Sequence, residues 1–453
     1  MKHPQLHQLI STPGNEEAAL QIIDKVLAED MDDAEALFAL GQYYVRQENY
    51  PVAYLMFRRV TELMPDHPSA WSNMGLCKVC LDRPEDSRSF FKQALRLDPY
   101  NAGALANLGL LASNDCDYSL ALDYCNKLLG HRDHNEARVT RAFAHLALGH
   151  WREGWRDYTA ALQTKYRIDI DYGLPRWGGR VKATVIVHGE QGLGDEIMYA
   201  SCIPDLAKRI GWGNVILDVD ARLAHWFRRS FPNARVYGDR RAEHRPWLAG
   251  SGATHSLAIG ELPRFFRPDG PTRAKSYLVP NPELKFMYRA LQRGRGECPC
   301  IGLCWSGGTR GTKASDRTIN MDAIKSIMAA YPNARFFSLE YNPESAARGK
   351  PLGITHHHFA VGAGSSYDHT SAYIAALDLV IGTDTTAHHA AGAMGVPSRM
   401  IITARPLWLN SDIHGDTHGW YETVKLFRGT RSESISDTAK RYALSIDQQE
   451  KAA

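Results

Sequence analysis

Three glycines, Gly41, Gly75 and Gly109, stand 34 residues apart in the first third of the 453-residue chain, each inside an apolar pattern of helical period. That spacing narrows the choice of fold, because a unit of this length makes two short helices and cannot bury a core alone. Copies must stack. Around Gly41 stand Leu37, Leu40, Tyr44, Ala53, Phe57 and Pro65; around Gly75 stand Trp71, Met74, Phe91, Ala94 and Pro99; around Gly109 stand Leu105, Leu108, Ala121 and Leu128. Small residues let paired helices approach, large ones fill the gap, and Pro stops the second helix.

These positions resemble the tetratricopeptide signature. The chain departs from it at Lys78, where an aromatic is expected, and at Asp133, where the third repeat should close on Pro. Upstream, Glu17 to Glu29 reads as one helix of a degenerate capping repeat. Downstream, Ala137 to Leu162 reads as a closing helical pair containing Trp151 and Trp155, giving three good repeats and two worn ones. Such arrays present a concave groove to a partner or acceptor, with a pure capping scaffold as the plainer reading. Self-association into a homo-oligomer stays open. Within the repeats Cys77 and Cys80 form C-x-x-C, and Cys298 with Cys300 forms C-x-C; small buried thiols explain both better than a shared zinc site.

The helical pattern stops at Tyr166 to Lys182, where Pro175, Trp177, Gly178 and Gly179 read as a linker. Beyond it, Thr184 to Val187, Val215 to Val219, Arg235 to Tyr237 and Ile301 to Trp305 alternate with helical stretches, as in a parallel sheet. Ala334 to Leu339, Leu379 to Ile381 and Arg399 to Ile402 suggest a second set, so the α/β region is expected to hold two Rossmann-like halves that divide near Asn281 to Pro299. The expected organisation is 1–165 helical repeats, 166–182 linker, 183–290 first half on the acceptor side, 291–430 second half on the donor side, and 431–453 a terminal helix or tail. Composition supports two or three packed units, with 44% hydrophobic and 23% charged residues. No apolar run approaches the roughly 20 residues of a membrane helix, and no signal peptide is evident, so a cytoplasmic location without a membrane span is expected.

Four motifs carry chemistry. Gly189-Glu190-Gln191-Gly192-Leu193-Gly194-Asp195 is a glycine-rich turn between a strand and a helix. A carboxylate there would repel a bound phosphate, so Asp195 suits a base better than part of a cradle, unless it is simply a helix cap. Gly382-Thr383-Asp384-Thr385-Thr386 leads into a small-residue helix through His388 and His389; its free N–H groups and hydroxyls can cradle a diphosphate. His389, one turn in, is expected to face the same ligand, the plainer reading of the two histidines being one structural ring and one exposed. Cys304-Trp305-Ser306-Gly307 precedes a basic loop with Arg310, Lys313 and Arg317, cations suited to polyphosphate. Glu340 ends a strand, where it could bond ribose hydroxyls. The run His356 to His358 reads as a loop and strand entry, not as a metal site.

In this order the motifs resemble the heptosyltransferase-like GT-B glycosyltransferases, over roughly Trp177 to Arg428. The resemblance rests on the EQGLGDEI turn, the WSG loop, the DRTI stretch, DLVIGTDTTAHHAAGAMGVP and GWYETVKLFR. It implies a multidomain protein, an all-α tetratricopeptide-repeat solenoid followed by an α/β GT-B module. It also implies that Asp195 is the catalytic base and that Gly194, Trp305, Ser306, Gly307, Glu340, Asp384, Thr385, Thr386 and His389 line the donor. The family's cation on the diphosphate would be Lys313 or Arg317. Thr386 departs from the family's usual Ala or Gly, a change that would narrow the cradle. A more distant resemblance to the O-linked N-acetylglucosamine transferases, which also join these repeats to a GT-B module, implies a protein acceptor.

The expected function is therefore inverting, metal-independent transfer from a nucleotide-sugar donor to a hydroxyl of a protein or glycan acceptor, recruited through the repeat groove. No cofactor beyond the donor is expected, and no Asp-x-Asp metal motif between the domains. Two alternatives compete: a non-catalytic repeat scaffold with a vestigial nucleotide-binding module, and a nucleic-acid glycosyltransferase. The formal net charge of +3 disfavours nucleic acid without a local basic stripe.

Overall fold

The 34-residue spacing becomes pairs of antiparallel helices in the computed structural model, which describes residues 3, 6, 14–164, 167–294, 296–308, 314–361, 366–411, 413 and 415–446. After the helix Glu16–Glu29, Ala34–Arg46 packs with Tyr50–Leu63, Pro68–Cys80 with Pro84–Leu97, and Ala102–Asn114 with Tyr118–Leu129. Each repeat glycine lies where its pair crosses. A Cβ at Gly41 would lie 2.7 Å from the Phe57 ring, at Gly75 2.6 Å from Phe91, and at Gly109 3.0 Å from the Cys125 sulfur. Close-packed interiors leave no room for another methyl group, so packing selects glycine.

Helix starts repeat at the same interval: Asp33, His67 and Asn101 accept the N–H groups of Ala36, Ala70 and Ala104 at 2.9, 3.2 and 3.0 Å. Between the helices of each pair, Glu48, Asp82 and Cys116 hold φ of 56°, 61° and 60°. The period is thus written in the backbone too. Lys78 lays its ammonium 4.2 Å from the Tyr54 ring centroid, a cation–π contact where the signature has an aromatic. Buried clusters run across repeat boundaries, one joining Phe57 to Met74 and another Phe91 to Leu108, so the region is a tetratricopeptide-like solenoid.

The chain divides into two compact units, Met1–Ala144 and His145–Ala453. The second contains two parallel sheets. The first has the order β3-β2-β1-β4, from β1 (Val185–His188), β2 (Val215–Asp218), β3 (Arg235–Tyr237) and β4 (His255–Ala258). The second has the order β6-β5-β7-β8-β9, from β5 (Cys300–Cys304), β6 (Arg335–Ser338), β7 (Leu379–Thr383), β8 (Ser398–Ile402) and β9 (Val424–Arg428). β1, β2 and β5 are buried along their whole length, as strands covered on both faces must be.

Three expected boundaries move. Residues 145–162 belong with the α/β unit, because the helix Trp151–Tyr158 turns its aromatic face there: the Trp155 ring lies 6.5 Å from Tyr199 and 6.4 Å from Trp420. The described part of the expected linker is anchored to the first sheet, with Arg167, Tyr172 and Trp177 buried and the Trp177 N–H donating to the Ser256 carbonyl at 3.0 Å. Its glycines and proline mark turns, but its aromatics need cover. Finally, the helix Pro282–Arg293 sits with the second sheet, its Gln292 amide donating to the Tyr373 carbonyl at 3.1 Å. The helix Ile435–Ser445 also covers that sheet, through Ile435, Ala439 and Tyr442. Among the described residues no helix is long and apolar enough to cross a membrane.

Candidate functional site

β7 enters the site through Gly382, where a Cβ would lie 1.8 Å from the Cys304 carbonyl oxygen of β5. Only glycine fits there, and the chain then turns through Asp384 and Thr385 into the helix Thr386–Met394. The Thr385 side chain does not cap that helix; its hydroxyl points to the Cys304 sulfur at 3.5 Å, and Thr386 is half-buried beside it. The first N–H groups of the helix therefore lack a side-chain cap from Thr385, as an anion site requires.

Asp384 is held on three sides. The Asn410 amide donates to its Oδ2 at 3.0 Å, Arg317 donates to its backbone carbonyl and stands 3.6 Å from its carboxylate, and His389 Nε2 lies 3.9 Å from Oδ1. His389 is hydrogen-bonded to the Tyr421 hydroxyl at 3.0 Å, and burial lowers its pKa, which keeps the ring neutral. His388 is tied to Ser398 at 2.5 Å and pushed down by burial to about 4. Both histidines are buried, so the plainer reading with one exposed ring does not hold: small residues on this helix let it sink between its neighbours.

Two expected donor contacts are also corrected. The Trp305 indole is fully buried in the core with Ile319 and Ile324, because at the end of β5 it turns into the helix layer. Glu340 does not present a free carboxylate. Its Oε1 accepts the N–H groups of Trp305 and Ser306 at 2.7 and 2.9 Å, and its Oε2 accepts the hydroxyls of Ser306 and, at 2.7 Å, Ser345. It locks the Trp305-Ser306-Gly307 loop. Beside that loop lies a cavity of about 360 Å³, lined by Ser306, Gly307, Thr318, Tyr341, Ser345 and Arg348 among others. A Cβ at Gly307 would meet the Asp384 carbonyl at 2.9 Å, so the two loops touch. Of the two candidate cations, Arg317 stands in this assembly; Lys313, like Arg310, lies outside the described residues.

Asp195 approaches from the first sheet. It is the third residue of the helix Leu193–Tyr199, whose N-cap is Gly192, so Asp195 is not the cap. Gly194 meets the second half directly, since a Cβ there would lie 3.0 Å from His389 Cδ2. Asp195 as a residue is half-buried, and its carboxyl is raised to about 7, first by burial, then by the Glu190 carboxylate; the Gly192 N–H opposes this, and Asp384 adds to it. A carboxyl poised there can exchange a proton near neutrality.

Several partners were not legible as functional. Arg167 lies in the expected linker, and Asn410 and Tyr421 are remote in sequence from what they orient. Two Asp-x-Asp stretches do occur in the α/β unit, Asp169-Ile170-Asp171 and Asp218-Val219-Asp220, contrary to expectation. Asp218 bonds the Tyr172 hydroxyl at 2.7 Å and Asp220 pairs with Arg222 at 2.8 Å and Arg240 at 2.9 Å, while Asp169 pairs with Arg176. These carboxylates, unlike Asp195, are held by cations or a phenol. Among the described residues no group of three or more His, Cys, Asp or Glu is arranged to hold a metal ion.

Comparison with known proteins gives similarity on both units. Residues 14–94 match the family described as anaphase-promoting complex, cyclosome, subunit 3. Protein FlbA of Caulobacter vibrioides is 26% identical over 387 residues, 80% of this chain and 64% of FlbA, so the chain spans just under two thirds of that relative. The formate-dependent nitrite reductase complex subunit NrfG of Escherichia coli O157:H7 is 25% identical over 139 residues, 30% of this chain and 68% of NrfG. Among solved structures, the thermophilic TPR protein TTC0263 of Thermus thermophilus is 23% identical and covers 36% of this chain and 87% of its own, with a TM-score of 0.30. The FlbA match, at 387 residues, is longer than the repeat unit of residues 1–144 and must extend into the α/β unit.

Proposed function

We propose that the chain is an inverting glycosyltransferase of GT-B type, working without a metal, whose repeats recruit a protein or glycan acceptor. The observation that carries this reading is the meeting of two helix starts. One brings Asp195, raised to about 7, and the other brings Thr385 and Thr386 beside Arg317 and His389. The nucleoside diphosphate of the donor would occupy the cavity beside Ser306 and Gly307, with its phosphates on the start of Thr386–Met394 and on Arg317. Asp195 takes the proton of the acceptor hydroxyl; its oxygen bonds to the anomeric carbon from the face opposite the diphosphate. The carbon–oxygen bond to the diphosphate breaks, and that electron pair leaves on phosphate, where cation and amides stabilise it. Asp384 orients Arg317 and His389 in this scheme, and Glu340 holds the loop.

Diphosphate binding is the first test. In calorimetry against a panel of nucleoside diphosphates, one base is expected to bind, and Arg317→Gln to weaken it by about tenfold or more, the range for a charge-assisted hydrogen bond. Equal affinity in the variant would remove Arg317 from the donor site, and no binding by any nucleotide would remove the donor site itself.

A further inference from the structure

The turn that carries Asp195 is fastened by an ion pair with almost no access to water. Arg167 and Glu190 side chains are 0% and 1% exposed. Arg167 donates through Nη2 to Glu190 Oε1 at 2.6 Å and through Nε to Oε2, and through Nη1 to the Tyr158 carbonyl at 2.8 Å. Its guanidinium lies 4.3 Å from the Tyr158 ring centroid. Glu190 Oε1 also accepts the Gly260 N–H at 2.9 Å, and a Cβ at Gly260 would lie 2.5 Å from that oxygen. Next door, the Tyr158 hydroxyl donates to Gln191 Oε1 at 2.9 Å and receives the Tyr199 hydroxyl at 3.1 Å. Three separate stretches, the helix Trp151–Tyr158, residues 167–168 and the start of the segment 259–261, thus converge on one turn.

A buried ion pair is seldom a net gain in stability over apolar packing, so its placement calls for another reason. We propose that Arg167 and Glu190 are positioning residues for Asp195: the pair fixes the turn 189–192, whose Gly192 is the N-cap of the helix that carries Asp195. The role rests on the reading of Asp195 as the base. The other groups that interact with Asp195 are the phenols of Tyr158, Tyr199 and Tyr421, and Asp384, which stands with Arg317 and His389; His389 also lies against Gly194. The phenols stay protonated and His389 stays neutral under burial, which leaves Glu190, Arg167 and Asp384, the last with Arg317 beside it, as the charged groups around it. Glu190 and Asp384 raise the affinity of Asp195 for its proton and Arg167 lowers it.

Members of one ion pair should therefore move Asp195 in opposite directions. The measurement is the carboxyl 13C NMR titration of Asp195 in the full-length chain carrying labelled aspartate, assigned with Asp195→Asn. Glu190→Gln is expected to lower the Asp195 midpoint by about 1 pH unit, and Arg167→Gln to raise it by a similar amount. Where Glu190→Gln does not yield folded protein, Glu190→Asp withdraws the charge by one methylene and should lower the midpoint by less. Shifts of the same sign, or an unmoved midpoint in the Glu190 variants, overturn the proposal, because a pair that only holds the fold together would give them. The titration is read on the carboxyl itself and needs no turnover. Opposite shifts without sugar transfer would remove the proposed reaction and keep the device; transfer that depends on Asp195 with unmoved midpoints would do the reverse.

Discussion

Asp195→Asn is expected to lower turnover by roughly 10²–10⁴-fold, the contribution of a positioned general base, while donor affinity measured by calorimetry stays within a few-fold. The amide is isosteric and cannot take a proton. Donor affinity should persist because the groups assigned to the diphosphate, Arg317 and the start of the helix Thr386–Met394, lie on the other half. In the wild type, kcat/KM should rise with pH through about 7 as the carboxyl ionises. The same residue affects stability. Its pKa rises from the ordinary 3.8 to about 7, so between those values the folded state binds more protons than the unfolded one. Stability is then lost as pH rises through this window. The Asn variant lacks that loss, so its Tm relative to wild type should be higher at pH 8 than at pH 4. Turnover within twofold of wild type would dismiss Asp195 as the base.

Gly382→Ala should strongly destabilise the second half. The added methyl would sit 1.8 Å from the Cys304 carbonyl oxygen and 2.6 Å from its sulfur, and Cys304 is the register partner of Gly382 between β5 and β7. A flexible side chain could swing away; a backbone carbonyl in the middle of a parallel sheet cannot without breaking the ladder. The expected cost exceeds about 4 kcal/mol, the range of rare, diagnostic substitutions, against a total domain stability of about 5–15 kcal/mol. Gly213→Ala is the control, since a Cβ there meets nothing within 4 Å. Urea unfolding followed by tryptophan fluorescence reads both. A Gly382→Ala midpoint equal to that of Gly213→Ala would mean that the β5–β7 junction is looser than described.

The sequence displays best those features that depend on neighbours a fixed distance along the chain. Gly41 and Gly75 announce the repeats because Phe57 and Phe91 follow each at the same interval. Arg235–Tyr237 and Leu379–Thr383 are visible as strands because β-branched and aromatic residues fill them. β4, His255–Ala258, is not, since it has no β-branched residue and depends on pairing with β1. β9, Val424–Arg428, is held by its pairing with β8 and by the stretch around Thr417 on its other side, both distant in sequence. In the site, Asp195, Asp384 and His389 stand out because each lies in a turn after a strand or in the first turns of the helix that follows it. The roles of Trp305 and Glu340 do not, because a strand's end can turn its residues either into the core or into a crevice, and only packing decides. Glu340 is an acid in the expected place whose oxygens the adjoining loop occupies. Arg167, Asn410 and Tyr421 act across long sequence separations, where a single sequence carries no periodic signal.

The most direct measurement incubates the full chain with a panel of nucleotide sugars and an acceptor mixture of glycans and proteins, with chelator present, and follows nucleoside diphosphate release together with the anomeric configuration of the product by NMR. One donor consumed, with the configuration at the anomeric carbon inverted and the rate unchanged by the chelator, is the outcome expected of a base-assisted displacement centred on Asp195. A panel left wholly intact, or a product that keeps the donor's configuration, would contradict it.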